Sequence, residues 1–225
     1  MKIGIIVAMG KELRLLLPLI ENHSIITIND IAFHTGKIHN HEITAMQCGI
    51  GKVNAAIGTL TLIENFHPDL VINTGVAGGA GGGAGILDVV VAERIAYHDV
   101  WCGPGTQYGE ASGYPLYFES EKRFTDLIPN RPDVKRGLIC SGDKFIASLE
   151  EVQAIQKAFP QVLAVDMESA TIAQVCYLRK VPVMVMRVIS DSPGASKDNT
   201  AEYNDFWQEA PAHTFNLVQE LLSKI

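Results

Sequence analysis

Three carboxylates in this chain of 225 residues stand where an acid–base site would need them. Glu168 belongs to Asp166-Met167-Glu168, which breaks off a short apolar run at 163–165. Asp191 follows the near-continuous apolar run 181–189 by way of Ser190, ahead of the breakers Pro193 and Gly194. Glu12 follows the apolar run 3–8 across Met9-Gly10. Each lies just past a predicted strand, and in open α/β sheets ligands sit beyond the carboxyl ends of strands. Carboxyl groups whose surroundings push their pKa values apart can divide general acid and general base between them. A plain structural reading stands beside the chemical one. Glu12 and Glu168 suit the first turn of a helix, where the macrodipole favours acids, and Asp191 suits a turn cap.

Other chemistry-bearing stretches are weaker. Ser141-Gly142-Asp143-Lys144-Phe145 is a polar turn presenting one aromatic on which a flat ring could stack. Cys48-Gly49-Ile50-Gly51-Lys52 is a glycine turn opening a helix, but GxGK without the rest of a Walker motif is poor evidence for phosphate. The run GGAGGGAG at 78–85 leads into a further strand with no helix between, which opposes a dinucleotide fingerprint and favours a loop of close approach beside a ligand. His98-Asp99 ends a strand without a serine elbow or a further metal ligand, so a hydrogen-bonded pair is the simpler reading. The four cysteines are widely spaced, with no CxxC, and read as small buried hydrophobes.

The elements that must position these groups alternate along the chain. Apolar runs and turn residues predict strands at 2–8, 25–28, 31–38, 42–48, 70–73, 89–92 and 134–140, then at 163–165 and 181–189. Helices are predicted at 11–20, 53–66, 119–128, 149–158, 169–178 and 200–222, the last bent at Pro211. Residues 100–113 form a long Gly/Pro/aromatic loop, a length that points to function or an interface. Without linkers or repeats, residues 1–225 read as one α/β domain. The net charge of −7 argues against nucleic acid or anionic membrane as partner. No apolar stretch approaches the ~20 residues of a membrane span, and the first residues lack a leader pattern, so the expected location is cytoplasmic.

In this order and at these spacings, IGIIVAMGKE (3–12), GIGKVNAA (49–56), INTGVAGG (72–79), YHD (97–99), RGLICSGDKFI (136–146), VDMESA (165–170) and RVISD (187–191) carry a resemblance. The chain resembles the nucleoside phosphorylase/hydrolase family, most closely its members that act on 5′-methylthioadenosine and S-adenosylhomocysteine. The resemblance implies a single-domain three-layer α/β/α fold with a mixed, strongly twisted central sheet. It implies hydrolysis of an adenine nucleoside without cofactor or metal, by a homodimer whose pocket lies near the interface.

Residue by residue, Asp191 would protonate the departing adenine at N7, with Ser190 holding it, and Glu12 would draw a proton from the attacking water. Glu168 would bind the ribose hydroxyls and Met167 would pack beneath the sugar. Phe145 would stack on adenine while the backbone of Ile146 reads its edge, and Arg187 would order the water and the acidic cluster. Ile50 would line the alkylthio side, and Tyr203 would close over the ligand. Asp191 must then hold its proton near neutral pH, which burial or carboxylate neighbours can achieve.

Departures accompany the likeness. Val76 replaces a hydroxyl residue expected beside the ribose, Gly10 and Lys11 stand at often more acidic positions, and extra residues precede Tyr203. The 101–108 loop is unfamiliar as well, and its aromatics make Trp101 a candidate for burial between subunits. Three rivals remain: a phosphorylase on the same fold, a hydrolase of a futalosine-type nucleoside, and a non-catalytic nucleoside sensor. Phosphate needs clustered cationic donors, and Gly10, Cys48 and Val76 at the glycine turns offer none, with Lys11 and Lys52 the nearby cations. A sensor would need neither Glu12 nor Asp191.

Overall fold

A computed structural model of the chain describes residues 1–193, 206 and 213–225. Among them, strands run in the order β1 (Lys2–Val7), β2 (Glu21–Ile28), β3 (Ile31–Ile38), β4 (His41–Gln47), β5 (Leu70–Gly79), β6 (Val89–Tyr97), β7 (Phe118–Glu119), β8 (Val134–Ser141), β9 (Val162–Asp166) and β10 (Val183–Asp191). The helices are α1 (Gly10–Leu16), continued by a 3-10 turn at Leu17–Leu19, α2 (Lys52–Phe66), α3 (Lys122–Thr125), α4 (Leu149–Ala158), α5 (Ser169–Arg179) and α6 (His213–Leu222).

All ten strands join one mixed sheet, as the expected α/β architecture requires. Its twist is carried far enough to close a ring. β5 pairs in parallel with β10, and β10 antiparallel with β6. β6 pairs in parallel with β8, β8 with β9, and β9 returns antiparallel to Gly78 and Gly79 of β5. A flatter wing leaves the ring through β5–β1–β4 in parallel and β4–β3–β2 antiparallel.

Local chemistry explains the wing. Asn29 and Asp30 both take positive φ, 50° and 61°, as a two-residue I′ hairpin turn demands. His39 does so at 52° between β3 and β4. Alternation along β1 sends Ile3, Ile5 and Val7 to one face, with Leu16, Phe124 and Leu221 from α1, α3 and α6. Ile6 goes to the other face, with Leu62 and Ile172 from α2 and α5. Helices therefore cover both faces.

Four expectations need correction. The predicted strand 70–73 runs on to Gly79, because its C-terminal half pairs with both β10 and β9. Residues 89–97 form one strand rather than two, with a bulge between Ala92 and Arg94. The helix predicted at 119–128 shrinks to Lys122–Thr125. Glu119 pairs with Arg94 instead, and Pro129 disfavours helix at Ile128. β10 includes Ser190 and Asp191, so Asp191 ends a strand and is no turn cap. The predicted bend at Pro211 and the candidate Tyr203 lie outside the described residues.

Candidate active site

A cleft opens at the carboxyl ends of β1, β5, β9 and β10, the kind of concave place in which small molecules bind. Glu12, Glu168 and Asp191 all line it. So do Ile50, Val76, Phe145, Ile146, Met167, Arg187 and Ser190, so every sequence candidate among the described residues reaches one place.

Glu12 is the third residue of α1 and only 2% exposed. Its Oε2 accepts from the backbone N–H groups of Ala8 and Met9 at 3.0 and 2.9 Å. Its Oε1 accepts from the N–H of Val76 at 3.0 Å. Burial pushes its pKa above the ordinary carboxylate value; the Arg187 charge and the three N–H donors pull the other way. The carboxylate lies so close to β5 that a Cβ on Gly75, whose φ is +150°, would come within 2.3 Å of Oε1. Only glycine at position 75 lets the strand and the carboxylate share this space. Val76 thus contributes through its backbone, and its apolar side chain, half-buried in the cleft wall, leaves that contact intact.

Glu168 occupies the N-cap position of α5, and its Oε1 accepts from the Gly51 N–H at 2.9 Å. Burial pushes it up to about 7, with the neighbouring Asp166 charge adding to the rise. Asp191 is 2% exposed. The Ser190 hydroxyl lies 2.7 Å from its Oδ1 and 3.2 Å from the Ala77 carbonyl oxygen. β5 is the common floor. Val76 holds Glu12, and Gly78 registers against Asp191. Residues two apart along a strand share one face, so both carboxyls are placed by the same strand.

Arg187 stands beside the acidic cluster. It lines the cleft, yet its guanidinium is committed to Asp166 (Nε 2.8 Å, Nη2 2.7 Å) and to Asn73 Oδ1 (2.6 Å), with both charged side chains 2% exposed. Asp166 also accepts from the Ser141 and Ser169 hydroxyls and the Ser169 N–H. Five elements, β5, β8, β9, β10 and α5, are tied at this point inside the ring. Asp166, Asn73, Ser141, Ser169 and Gly75 were missed as site-forming residues. Asp166 and Ser169 lie within the VDMESA motif and Ser141 opens SGDKF, so a hydroxyl–acid pairing between those motifs was the available signal.

Phe145 is half exposed and lines the cleft. Of the glycine run at 78–85, Gly78 and Gly79 end β5 and Gly78 lines the cleft, while Gly81–Gly83 take positive φ in the turn that precedes β6. His98 and Asp99 do not form a hydrogen-bonded pair. Asp99 bonds Lys52 Nζ at 2.6 Å and the Asp143 N–H at 2.8 Å, while His98 Nε2 is buried without a partner.

The Phosphorylase superfamily model matches residues 2–223. A 5′-methylthioadenosine/S-adenosylhomocysteine nucleosidase from Haemophilus influenzae is 38% identical, with each chain covered completely. Its namesake in Staphylococcus aureus is 38% identical over 99% of this chain and all of its own. Among solved structures, the Streptococcus pneumoniae nucleosidase with a transition-state inhibitor superposes with a TM-score of 0.93 at 38% identity, covering 99% of this chain and 98% of the other. The Streptococcus pyogenes enzyme with 5-methylthiotubericidin gives 0.94 at 35% identity, covering 100% and 97%.

Proposed function

The chain belongs to the phosphorylase superfamily, and on that footing we propose that it hydrolyses the N-glycosidic bond of 5′-methylthioadenosine and S-adenosylhomocysteine, releasing adenine and the thioribose. The observation that carries the proposal is the convergence of Glu12, Glu168 and Asp191 on one cleft whose arginine is already spent on Asp166 and Asn73. Among the described residues no other arginine lines the cleft, and its lysine, Lys144, is paired with Glu151 at 2.6 Å. Water is left as the nucleophile.

The roles follow from chemistry. Breaking the bond leaves an oxocarbenium-like sugar, so anionic oxygen near the ribose stabilises developing charge. Glu168, anchored by Gly51, is the ribose-binding carboxylate, with Met167 beneath the sugar. Glu12, raised by burial, is the base for water. Asp191, braced by Ser190, gives its proton to N7, because neutral adenine leaves readily only when protonated. Phe145 stacks on the base while the Ile146 backbone reads its edge. Ile50 flanks the 5′ substituent, and Tyr203 closes the cleft. Arg187 orders the acidic cluster through Asp166. The machinery works within one domain spanning residues 1–225.

The chain acts as a cytoplasmic homodimer in this reading. Support comes from the large apolar side chains exposed around α2 and the 100–113 loop, among them Val53 at 69% and Trp101 at 60%. Four unpaired cysteines suit a reducing compartment, and no helix among the described residues is long and apolar enough to cross a membrane. The decisive assay incubates the protein with methylthioadenosine in phosphate-free buffer. Adenine and free methylthioribose should appear at a rate indifferent to added phosphate. A ribose 1-phosphate product, or a rate proportional to phosphate, overturns the assignment.

A further inference from the structure

The start of α2 is held in an unusual way. A helix leaves its first N–H groups without internal partners, and Gly51 at the N-cap position has no side chain to satisfy them. Two carboxylates from distant parts of the chain do so instead. The Gly51 N–H donates to Glu168 Oε1 at 2.9 Å, and the next, that of Lys52, donates to Asp143 Oδ1 at 2.7 Å. Gly51 is at φ +92°, and a Cβ there would stand 3.0 Å from Asp143 Oδ1, so this glycine also makes room for the approach. The positive end of the helix dipole favours both anions.

Asp143 is itself fixed. Its N–H donates to Asp99 Oδ2 at 2.8 Å, and Asp99 Oδ1 receives Lys52 Nζ at 2.6 Å. The preceding N–H, of Gly142, donates to the Asp166 carbonyl at 3.1 Å. The backbone of Gly142 packs so tightly on the His98 ring that a Cβ would meet Cε1 at 2.3 Å. Two and three residues beyond Asp143 come Phe145 and Ile146, which line the cleft.

Resting on the adenine-nucleoside reading, we infer that Asp143 is a positioning residue: an N-cap supplied to α2 from another part of the chain, seated by Asp99 and Lys52. It sets the base-side turn 142–146 at a fixed distance from the ribose carboxylate Glu168. The link runs Phe145–Asp143–Lys52–Gly51–Glu168 and touches no reacting atom. Its loss should loosen the grip on the base while leaving the acid and the base of the reaction in place.

The test compares Asp143→Ala, Asp143→Asn and Asp99→Asn for kcat and KM on methylthioadenosine and for the dissociation constant of free adenine. Asp143→Ala should raise KM and the adenine constant about fivefold, as loss of a helix cap converts. Its kcat should stay within about threefold, the pattern of lost binding rather than lost transition-state contacts. Asp143→Asn keeps an oxygen for the Lys52 N–H and should recover most of the loss. Asp99→Asn should show a smaller rise in the adenine constant, and it decides the matter if Asp143→Ala does not fold. Wild-type KM and adenine binding in Asp143→Ala, an Asn variant as weak as the Ala variant, or an unchanged Asp99→Asn each overturn the inference. A wild-type chain that releases no adenine from methylthioadenosine overturns the nucleosidase reading and this inference with it.

Discussion

The ring and the wing of this sheet are built by opposite rules. In the ring, β5–β10–β6–β8–β9, the strands bury polar side chains almost completely, Asn73 and Arg187 in mid-strand and Ser141, Asp166, Ser190 and Asp191 at strand ends. In the wing, β2 is exposed along nearly its whole length and β4 alternates buried with open positions. Burying a polar group is costly unless it is fully bonded, so the ring tolerates its charges only as a closed network. That closure gives it chemistry. A ring of strands brings distant carboxyls to one mouth and dries them, whereas the wing supplies β1 as a support for Glu12 and little else.

The contrast breaks hardest at the reacting carboxyls. Asp191→Asn cannot deliver a proton and Glu12→Gln cannot take one, and each should lose on the order of 10²–10⁴ in kcat. Binding of an uncleavable nucleoside analogue should weaken far less. On a thioriboside with a nitrophenyl leaving group, Asp191→Asn should recover much of its rate and Glu12→Gln should not. Equal recovery in both variants refutes the division of labour.

The next effect is on stability. Asp166→Ala strands the Arg187 guanidinium without its partner in the ring interior, a change expected to cost about 3–5 kcal/mol. For a chain of this size that is on the order of 10 °C in Tm. The double variant Asp166→Leu/Arg187→Met should regain much of the stability, because well-packed apolar residues can replace a buried ion pair. Calorimetry reads both. A single variant as stable as the wild type would mean the network is dispensable.

The same contrast explains what could be read from the sequence. Wing elements are specified locally: Asn29-Asp30 announces a turn, and 31–38 is found where the flanking turn residues predict a strand. Helix 149–158 is also found as predicted, its N-terminus marked by the Ser148–Glu151 capping box. The candidate site was legible through motif order, since Glu12, Glu168 and Asp191 each follow an apolar run. The continuation of β5 through Thr74–Gly79 was not, because that stretch is glycine-rich and is held in a strand by partners about 90 and 110 residues away. The partners of Arg187 were hidden for the same reason: nothing in its neighbourhood along the chain announces that Asp166 and Asn73 will claim it.

A gentler probe is pH. Glu168 is pushed up to about 7 in the fold from an ordinary 4.5. Between those values the folded chain holds a proton that the unfolded chain has released, so stability should fall as pH rises through that interval. Glu12 is raised in the same sense and adds to the slope. Urea denaturation at steps from pH 4.5 to 7.5 should show the decline, and Glu168→Gln should flatten part of it. A wild-type curve that is level across this range, or one unaltered by the substitution, contradicts the dry-mouth account of the ring.

The smallest effect belongs to the wing. Ile25 is 57% exposed on β2, where it faces His34 across the pair, while its neighbour Ile26 faces the buried Phe33. Among the described residues β2 pairs with β3 alone, which puts it at the edge of the sheet. Ile25→Thr keeps the branched Cβ that suits a strand and removes apolar surface that is already wet. Stability should therefore move by no more than about 0.5 kcal/mol, with kcat and KM unchanged. Solubility should rise, because an apolar edge strand invites association. A fall of several kcal/mol, or a loss of activity, would show that Ile25 is covered in solution. The edge of the wing would then be an interface, and the division between a working ring and a supporting wing would have to be redrawn around it.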